Sequence, residues 1–281
     1  MSGSSSLSAL EALSAHDINE RQRMLLSKIR AEASSLSPAA QQALKEAEEV
    51  ASGLDPYLDQ ISSSPPEILD EMIRKTYETD WKKLYTEGTT SIPLIKEMCA
   101  GGYEAVLLRE FATMIKAKRI LEIGVFTSTT TVALALLPFV SKIVALDIEP
   151  YLVEFAKPFY AKANVQDKID FRIADAIKTL EDLESKGEGF DLVFIDADKG
   201  GYWSYYDKIM SSKTLLNKDG VIIADNTIYK ASTYVHHEAF AEGAKALGEF
   251  NRKVKEDPRS EVVVLPARDG ISIIRRAETQ K

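Results

Sequence analysis

The pattern of apolar and polar positions changes once along the chain, at about Tyr103. From there on, short β-rich apolar runs alternate with stretches whose apolar positions recur at helical spacing. This alternation is typical of βαβ units and a mostly parallel sheet. Several runs are too apolar for a sheet with one solvated face, so we expect both faces to be covered. The predicted strands are RILEIG (119–124), KIVALDI (142–148), IDFRIAD (169–175), FDLVFIDA (190–197) and GVIIADN (220–226).

The last part of the chain departs from this alternation. A long helix is predicted at about residues 235–255, before the β-rich runs EVVVLP (261–266) and ISIIRR (271–276). Asp269 and Gly270 lie between those two runs, and an Asp-Gly pair in that position favours a β-hairpin. We therefore predict an α/β fold: a doubly wound, seven-stranded, mostly parallel sheet with a C-terminal antiparallel hairpin. The other helices are predicted near residues 128–138, 151–163, 176–186 and 202–212.

The N-terminal third of the chain has a different character. Residues 1–16 are Ser-rich, which predicts a disordered tail. Residues 17–90 predict a helical N-terminal extension, and residues 91–281 then form the main domain. Two apolar groups of the extension either pack on the same chain or cover a second subunit. These groups are Met24, Leu25 and Ile29, and Ile68, Leu69, Met72 and Ile73; the helices carrying them are predicted at about 17–34, 38–52 and 66–87.

Composition narrows the classes of function. The chain has 281 residues, of which 45% are hydrophobic, enough for a large buried core. Its 43 acidic and 35 basic residues give a net charge of -8, which disfavours nucleic acid as a partner. The single cysteine, Cys99, is predicted to be a buried small hydrophobe rather than a reactive thiol. The sequence shows neither a signal-peptide pattern nor a run of about 18 apolar residues, so we expect a cytoplasmic protein without a membrane partner.

Polar residues follow the predicted strands at the edge where doubly wound sheets bind ligands. Gly124 would let the backbone approach a ligand, although a lone glycine also fits an ordinary strand-to-helix turn. Asp147 lies 23 residues after Gly124, close to the spacing at which an acid binds a ribose diol. We interpret Glu149 as a solvated residue at a helix start. Asp175 and Ala176 border an adenine or, as an equal alternative, Asp175 caps the next helix.

Asp196, Asp225 and Asn226 each follow an apolar strand. Single strand-end Asp and Asn residues are more often caps or turn formers, but adjacent strands would bring these three together as hard oxygen ligands. Such a set suits Mg²⁺. Zinc is disfavoured because no histidine lies nearby in the sequence. We expect surface positions for the three histidines, His16, His236 and His237.

Five segments together carry a family resemblance: LEIGVFTSTTTVALA, VALDIEP, FIDADKGGYWSYY, ADNTIY and VVLPARDGISIIRR. Through them, residues 92–277 resemble the cation-dependent, caffeoyl-CoA and catechol-type O-methyltransferases. The resemblance implies a Rossmann-like methyltransferase fold, S-adenosylmethionine as cofactor and a homodimer. It also implies a divalent cation, Mg²⁺ in the first place and Mn²⁺ or Ca²⁺ as alternatives, and a small catechol-like acceptor with adjacent hydroxyls.

The resemblance also assigns roles to individual residues. Asp196, Asp225 and Asn226 match the family's metal ligands. Lys199 matches the lysine taken as the general base in the catechol branch, and a cation beside it should lower its pKa; a surface lysine on a loop is the alternative. The matched cofactor positions are Glu122, Gly124, Thr130, Asp147, Asp175, Ala176 and Asp196, and the acceptor positions are Met98, Tyr202 and Tyr229.

The sequence departs from the family mainly on the acceptor side. Ser128-Thr129 replaces the usual Gly-Tyr, Gly200-Gly201 replaces Asp-Asn, and Tyr229 stands where plant members carry a tryptophan.

Two other functions stay open at this point. An NAD-dependent oxidoreductase would use the same sheet type, but it lacks support from the short glycine motif. A non-catalytic scaffold would use residues 1–90 for assembly, but it has no reason to maintain converging carboxylates.

Overall fold

The computed structural model describes residues 17–236 and 238–278 of the chain. Its strands are β1 (Arg119–Ile123), β2 (Lys142–Asp147), β3 (Ile169–Ile173), β4 (Phe190–Ile195), β5 (Leu216–Ala224), β6 (Ser260–Leu265) and β7 (Ile271–Arg276). They form one seven-stranded sheet in the order β3-β2-β1-β4-β5-β7-β6. Strand β7 is antiparallel to β5 and β6, and the other neighbouring strands are parallel. The predicted α/β fold with a C-terminal hairpin is therefore confirmed.

Helices cover both faces of the sheet. Because side chains alternate along a strand, Ile120 and Ile143 belong to one apolar cluster, and Leu121 and Val144 to the other. The helices are α1 (Ile18–Ala31), α2 (Pro38–Ile61), α3 (Glu67–Glu78), α4 (Trp81–Thr86), α5 (Gly101–Met114), α6 (Thr129–Ala135), α7 (Tyr151–Lys162), α8 (Ala176–Ser185), α9 (Tyr202–Ser211) and α10 (Ala241–Glu256). Helices α3 to α7 contribute to the first cluster and α8 to α10 to the second.

The N-terminal extension contributes to the molecule in two ways. Helices α3 and α4 are part of the main core, where Leu69 and Met72 are fully buried. Helices α1 and α2 form an antiparallel pair tied by ion pairs such as Arg23 with Asp55 at 3.0 Å. On α1, Leu25 and Ile29 remain 52% and 49% exposed. The apolar group around Leu69 thus packs on its own chain, whereas Leu25 and Ile29 stay accessible.

Four elements differ from the predicted ones. The single helix predicted at 66–87 is divided into α3 and α4, with Asp80 as the N-cap of α4. Helix α2 was predicted to end at residue 52 but continues to Ile61, with Pro56 inside the helix. Helix α5 was not predicted, since apolar residues surround it and leave little amphipathic contrast. Helix α10 begins at Ala241 rather than at residue 235, because the backbone of residues 229–231 is left-handed and only a single 3-10 turn precedes the helix.

A few smaller predictions can be placed as well. Cys99 is buried, with its Sγ 3.6 Å from Thr129 Oγ1. His236 is exposed, whereas His16, His237 and the predicted tail lie outside the described residues. None of the helices in the described ranges combines the length and apolar character needed to cross a lipid bilayer.

Candidate active site

The turn after β1 brings backbone close to the end of β4. Gly124 has a φ of +87°, and a Cβ at this position would lie 1.9 Å from the carbonyl oxygen of Asp196. Phe126 and Ser128 in the same turn also have positive φ angles, 45° and 65°. Left-handed non-glycine residues are strained, and such strain is concentrated at ligand sites. The turn is therefore more than an ordinary strand-to-helix connection.

Asp147 holds this turn in place. Its Oδ2 accepts hydrogen bonds from the backbone N–H groups of Val125 and Phe126, both at 3.0 Å. Its Oδ1 accepts from Ile148 and Glu149 at 2.7 and 3.1 Å. The carboxylate thus connects the end of β2 to the glycine turn, a role that sequence spacing alone did not reveal. Ribose binding by Asp147 stays a prediction.

Glu122 is a buried acid next to the same turn. It lies on β1, and its Oε2 accepts a hydrogen bond from Thr131 Oγ1 at 2.6 Å. Burial raises the pKa of Glu122 to about 8, although the Thr131 hydrogen bond opposes the shift. Thr130, also predicted to line the cofactor, is buried beside it on α6. Glu122 can therefore change charge near neutral pH.

Residues near β2 and β3 meet the predictions in part. Asp175 is the N-cap of α8 and accepts a hydrogen bond from the Lys178 N–H at 2.9 Å, with Ala176 as the first residue of the helix. The interpretation of Glu149 as a solvated residue was wrong, since it is 1% exposed. It accepts hydrogen bonds from Ser91 and Tyr151 and so fixes the segment before α5 to the start of α7.

The three predicted metal ligands converge at neighbouring strand ends. Asp196 and Asp225 follow directly on Ile195 and Ala224, which are paired across β4 and β5. Asn226 adopts a left-handed backbone, with a φ of 56°, and its Nδ2 donates to Asp225 Oδ2 at 2.8 Å. Burial and the neighbouring charge of Asp196 raise the pKa of Asp225 to about 7.

The ammonium group of Lys199 lies among these side chains. Its Nζ donates to Asp196 Oδ1 at 2.9 Å and to Asn226 Oδ1 at 2.5 Å. Burial alone would lower the pKa of Lys199, but the negative charge of Asp196 and the contact with Tyr202 outweigh it, so the pKa is raised. Lys199 is therefore a half-buried partner of the predicted ligands, not a surface lysine. The expected lowering of its pKa refers to a lysine beside a bound cation and remains a prediction.

Glu104 joins this group and was missed by sequence reasoning. It lies on α5, is buried, and interacts directly with Asp225. Burial, followed by the charges of Asp225 and Asp196, raises the pKa of Glu104 well above its usual value. In the sequence, Glu104 is the acidic residue within the otherwise mostly apolar stretch GGYEAVLL (101–108). This pattern indicates a buried acid only if α5 has been recognised as a helix.

The donor set suits a hard divalent cation. Asp225 Oδ1 and Glu104 Oε1 are both buried and have no hydrogen-bond partner. Burying carboxylate oxygens without a hydrogen-bond partner is costly, and a cation beside them would reduce that cost. Within the described ranges, no three His, Cys, Asp or Glu side chains cluster as a metal site, so the fit depends on two aspartates and an asparagine amide.

The predicted acceptor residues have different surroundings. Tyr202 is fully buried, packs edge-on against Phe250 at 5.6 Å, and accepts a hydrogen bond from Lys199 at 2.9 Å through its hydroxyl. Any influence of Tyr202 on an acceptor would therefore pass through Lys199. Met98 is 46% exposed in the turn before α5. Both roles as acceptor contacts stay predictions.

Tyr229 lies on the wall of a cavity of about 650 Å³ that also reaches Lys199. Its ring packs edge-on against Phe240 at 6.0 Å. Gly243 on α10 makes room for it, because a Cβ there would lie 2.5 Å from the Tyr229 hydroxyl. The cavity thus has aromatic surface from Tyr229 and Phe240 and reaches the strand-end polar cluster at Lys199.

Comparison with known sequences places the chain in a family. The profile of the family described as O-methyltransferase matches residues 59–277. Tricin synthase 2 from Oryza sativa subsp. japonica is 35% identical over 183 residues, 62% of this chain and 61% of the rice protein, so the match covers less than two thirds of that relative. A caffeoyl-CoA O-methyltransferase from Eucalyptus gunnii is 35% identical over 189 residues, 64% of this chain and 75% of that protein.

Solved structures agree with this result. The SAH-bound methyltransferase PaMTH1 from Podospora anserina aligns with a TM-score of 0.69 and 25% identity, covering 82% of this chain and 97% of that one. An O-methyltransferase from Bacillus cereus in complex with SAH shares the fold, with a TM-score of 0.64, 20% identity and coverage of 80% and 97%. The family match includes the glycine turn and both polar strand ends. The chain therefore belongs to the O-methyltransferase family, as its sequence motifs predicted.

Proposed function

We propose that this chain transfers a methyl group from S-adenosylmethionine to one of two adjacent hydroxyls on a small aromatic acceptor. We further propose that Asp196, Asp225 and Asn226 hold a divalent cation that assists this transfer. The observation that carries the proposal is the buried, unpartnered Oδ1 of Asp225 at the point where these side chains meet. Mg²⁺ is the first candidate because hard oxygen donors suit it, with Mn²⁺ and Ca²⁺ as alternatives.

The glycine turn supports a nucleotide-like cofactor at the end of β1. Phe126 and Ser128 in this turn have left-handed backbones, which are concentrated at ligand sites, and two solved relatives were determined with SAH bound. We assign the cofactor to the edge of the sheet between the turn and the polar strand ends. The residues that would hold it are Glu122, Gly124, Thr130, Asp147, Asp175, Ala176 and Asp196.

The chain's own groups define how the transfer would proceed. A bound cation would supply Lewis-acid assistance to the ionisation of an acceptor hydroxyl. Lys199 would leave Asp196 and Asn226, which it contacts at present, and its ammonium group would release a proton to solvent. The neutral Nζ would then accept the proton of the acceptor hydroxyl. The Tyr202 hydroxyl keeps a contact that orients Nζ. Holding acceptor and methyl donor in line can contribute roughly 7–11 kcal/mol in the best cases.

Tyr229 supports an aromatic acceptor. Its ring faces the cavity that contains Lys199, where it can pack against a planar substrate. The names of two plant relatives refer to tricin and caffeoyl-CoA, which supports a phenolic compound. Catechol-like molecules are the smallest acceptors that combine an aromatic ring with two adjacent hydroxyls.

Methyl transfer to a panel of catechols, with and without a chelator, tests the function. We expect a mass gain of one methyl group that the chelator abolishes and added Mg²⁺ restores. Asp225→Ala should lose this activity, whereas Asp219→Asn, an exposed aspartate on the same strand, should keep it. Activity of Asp225→Ala near that of the wild type and insensitive to chelator would contradict the proposal.

A second test concerns the cofactor. S-adenosylhomocysteine should raise the melting temperature of the protein, because a ligand that binds the folded state stabilises it, and NAD should not. The oxidoreductase alternative is not favoured, since the matched family and the solved neighbours are methyltransferases. Protection by NAD alone would reverse this preference.

A further inference from the structure

The loop after β5 carries Tyr229 in an unusual backbone conformation. Tyr229, Lys230 and Ala231 are three consecutive left-handed residues, with φ angles of 49°, 55° and 64°. None of them is glycine, so each is strained and persists only if neighbouring groups hold it. The position of the Tyr229 ring therefore depends on what this loop contacts.

One set of contacts comes from the β6–β7 hairpin. The carbonyl oxygen of Asp269 accepts hydrogen bonds from the N–H groups of Ile228 and Tyr229 at 2.9 and 3.2 Å. The Asp269 carboxylate accepts from the Lys230 N–H, and its side chain is buried. The hairpin thus fixes the N–H side of the loop. The loop's own residues donate to the carbonyl oxygens of Ile228, Tyr229 and Ala231, which leaves the Lys230 carbonyl oxygen to another element.

The second set comes from α1, far away in sequence. The Arg21 guanidinium donates to the Lys230 carbonyl oxygen and to Ser232 Oγ, the latter at 2.9 Å. The same guanidinium lies 5.7 Å from the ring centroid of Phe240. Phe240 in turn packs against Tyr229, and both rings line the cavity. One side chain of the N-terminal extension therefore contacts the loop and the aromatic wall at once.

The extension is also fixed to the hairpin itself. Arg268, next to Asp269, lies 3.6 Å from Asp17 and 3.7 Å from Asp55, at the start of α1 and within α2. Its guanidinium lies 5.2 Å from the ring of Tyr103 on α5. These ion pairs hold α1 at a fixed place relative to the hairpin, so the Arg21 side chain reaches a defined position on the loop.

We propose that the N-terminal helices support the wall of the acceptor pocket from outside, with Arg21 as a positioning residue that sets where Tyr229 and Phe240 stand. The inference rests on the proposed function, because it assigns the aromatic wall to the acceptor. Arg21 touches neither the acceptor nor the strand-end carboxylates. It acts on acceptor affinity and on which of the two hydroxyls is methylated, and it leaves the cofactor side unchanged.

The test compares Arg21→Ala with Arg23→Ala. Arg23 lies on the same helix and contacts Asp55 and Ala51 but not the loop, so it controls for loss of a charge from α1. For Arg21→Ala we expect a KM for the acceptor about tenfold higher and an altered ratio of the two methylated products, because a charge-assisted contact is lost. The affinity for S-adenosylhomocysteine should not change. Arg21→Lys should restore part of the effect, since it keeps one donor.

Hydrogen exchange gives a readout that does not need turnover. Amides of residues 228–235 should exchange faster in Arg21→Ala than in wild type or Arg23→Ala, because the loop loses one support. Equal exchange and equal KM in the two variants would overturn the inference, and so would an equal loss of cofactor affinity. If the wild type methylates no acceptor, the proposed function fails, and the exchange data still decide whether Arg21 holds the loop.

Discussion

At the scale of single residues, charge balance at the ends of β4 and β5 governs the site. Asp196, Asp225 and Glu104 bring three carboxylates together, Lys199 supplies a positive charge beside Asp196, and the charge of Arg268 acts on Glu104. A divalent cation and the Lys199 ammonium would draw on the same oxygen atoms of Asp196 and Asn226. The two positive charges therefore compete, and this competition can be measured.

Lys199→Met should bind Mg²⁺ more tightly than the wild type while losing methyl transfer. Removing a positive charge within a few ångströms of the cation should raise its affinity by about tenfold or more. Titration calorimetry with Mg²⁺ measures this directly. Lys208→Met, which removes a lysine paired with Glu184 instead, is the control and should bind as the wild type does. Weaker Mg²⁺ binding in Lys199→Met would mean that the lysine does not compete for these oxygens.

Glu122 predicts a pH-dependent stability. Its pKa is about 8 in the folded chain and about 4.5 in an ordinary glutamate, so between these values the folded state binds more protons than the unfolded state. The stability contributed by the neutral form is complete below about pH 4.5 and falls as pH rises towards 8, by at most about 1.4 kcal/mol per pH unit. The Glu122→Gln variant should not show this fall in stability with rising pH. In urea unfolding at pH 5.5 and 7.5, the wild type should therefore weaken relative to Glu122→Gln; parallel curves would refute the shift.

Gly124→Ala should destabilise the protein by roughly 3–5 kcal/mol, since a Cβ adds a backbone clash to an unfavourable φ. The variant should also lose S-adenosylhomocysteine binding. Gly187→Ala is the matched control, because Gly187 has a φ of +69° but nothing within 4 Å of a Cβ. It should cost about 1 kcal/mol through strain alone. Chemical unfolding separates the two cases, and equal losses would show that the contact with Asp196 is unimportant.

At the scale of elements, the sheet was predictable and its surroundings were less so. Strands such as β2 and β4 contain four consecutive buried apolar residues because both of their faces are covered, and this pattern is visible in the sequence. Helix α5 escaped prediction because its polar residues are spread around the helix and leave little amphipathic contrast. Glu104 escaped with it, so one acid of the site was absent from the sequence account.

Loop conformations were beyond the reach of the sequence for a different physical reason. The left-handed run at Tyr229 depends on contacts with Asp269 and Arg21, which are distant in sequence. Local propensity disfavours that run, so no local pattern indicates it. The same holds for Asp147, whose hydrogen bonds from Val125 and Phe126 follow from how two strand ends meet. Residue types at the strand ends predicted which side chains gather, but not which partner each one takes.

At the scale of the whole molecule, the family match accounts for residues 59–277, and the first N-terminal helices lie outside it. The family match starts at residue 59, within α2, so α1 and most of α2 lie before it. Their contacts with the hairpin and the loop connect them to the acceptor side. The division of the chain at residue 90, the cytoplasmic location and the homodimer stay predictions, and sedimentation of the purified protein measures the last of these.

A divalent cation at the ends of β4 and β5 can be detected by titration with Mn²⁺ followed by electron paramagnetic resonance. We expect one bound Mn²⁺ ion per wild-type chain, displaced by Mg²⁺, and the same binding in Asp219→Asn. In Asp225→Ala this binding should be lost. Binding of Mn²⁺ that is unchanged in Asp225→Ala, or absent from the wild type, would contradict the proposed cation site.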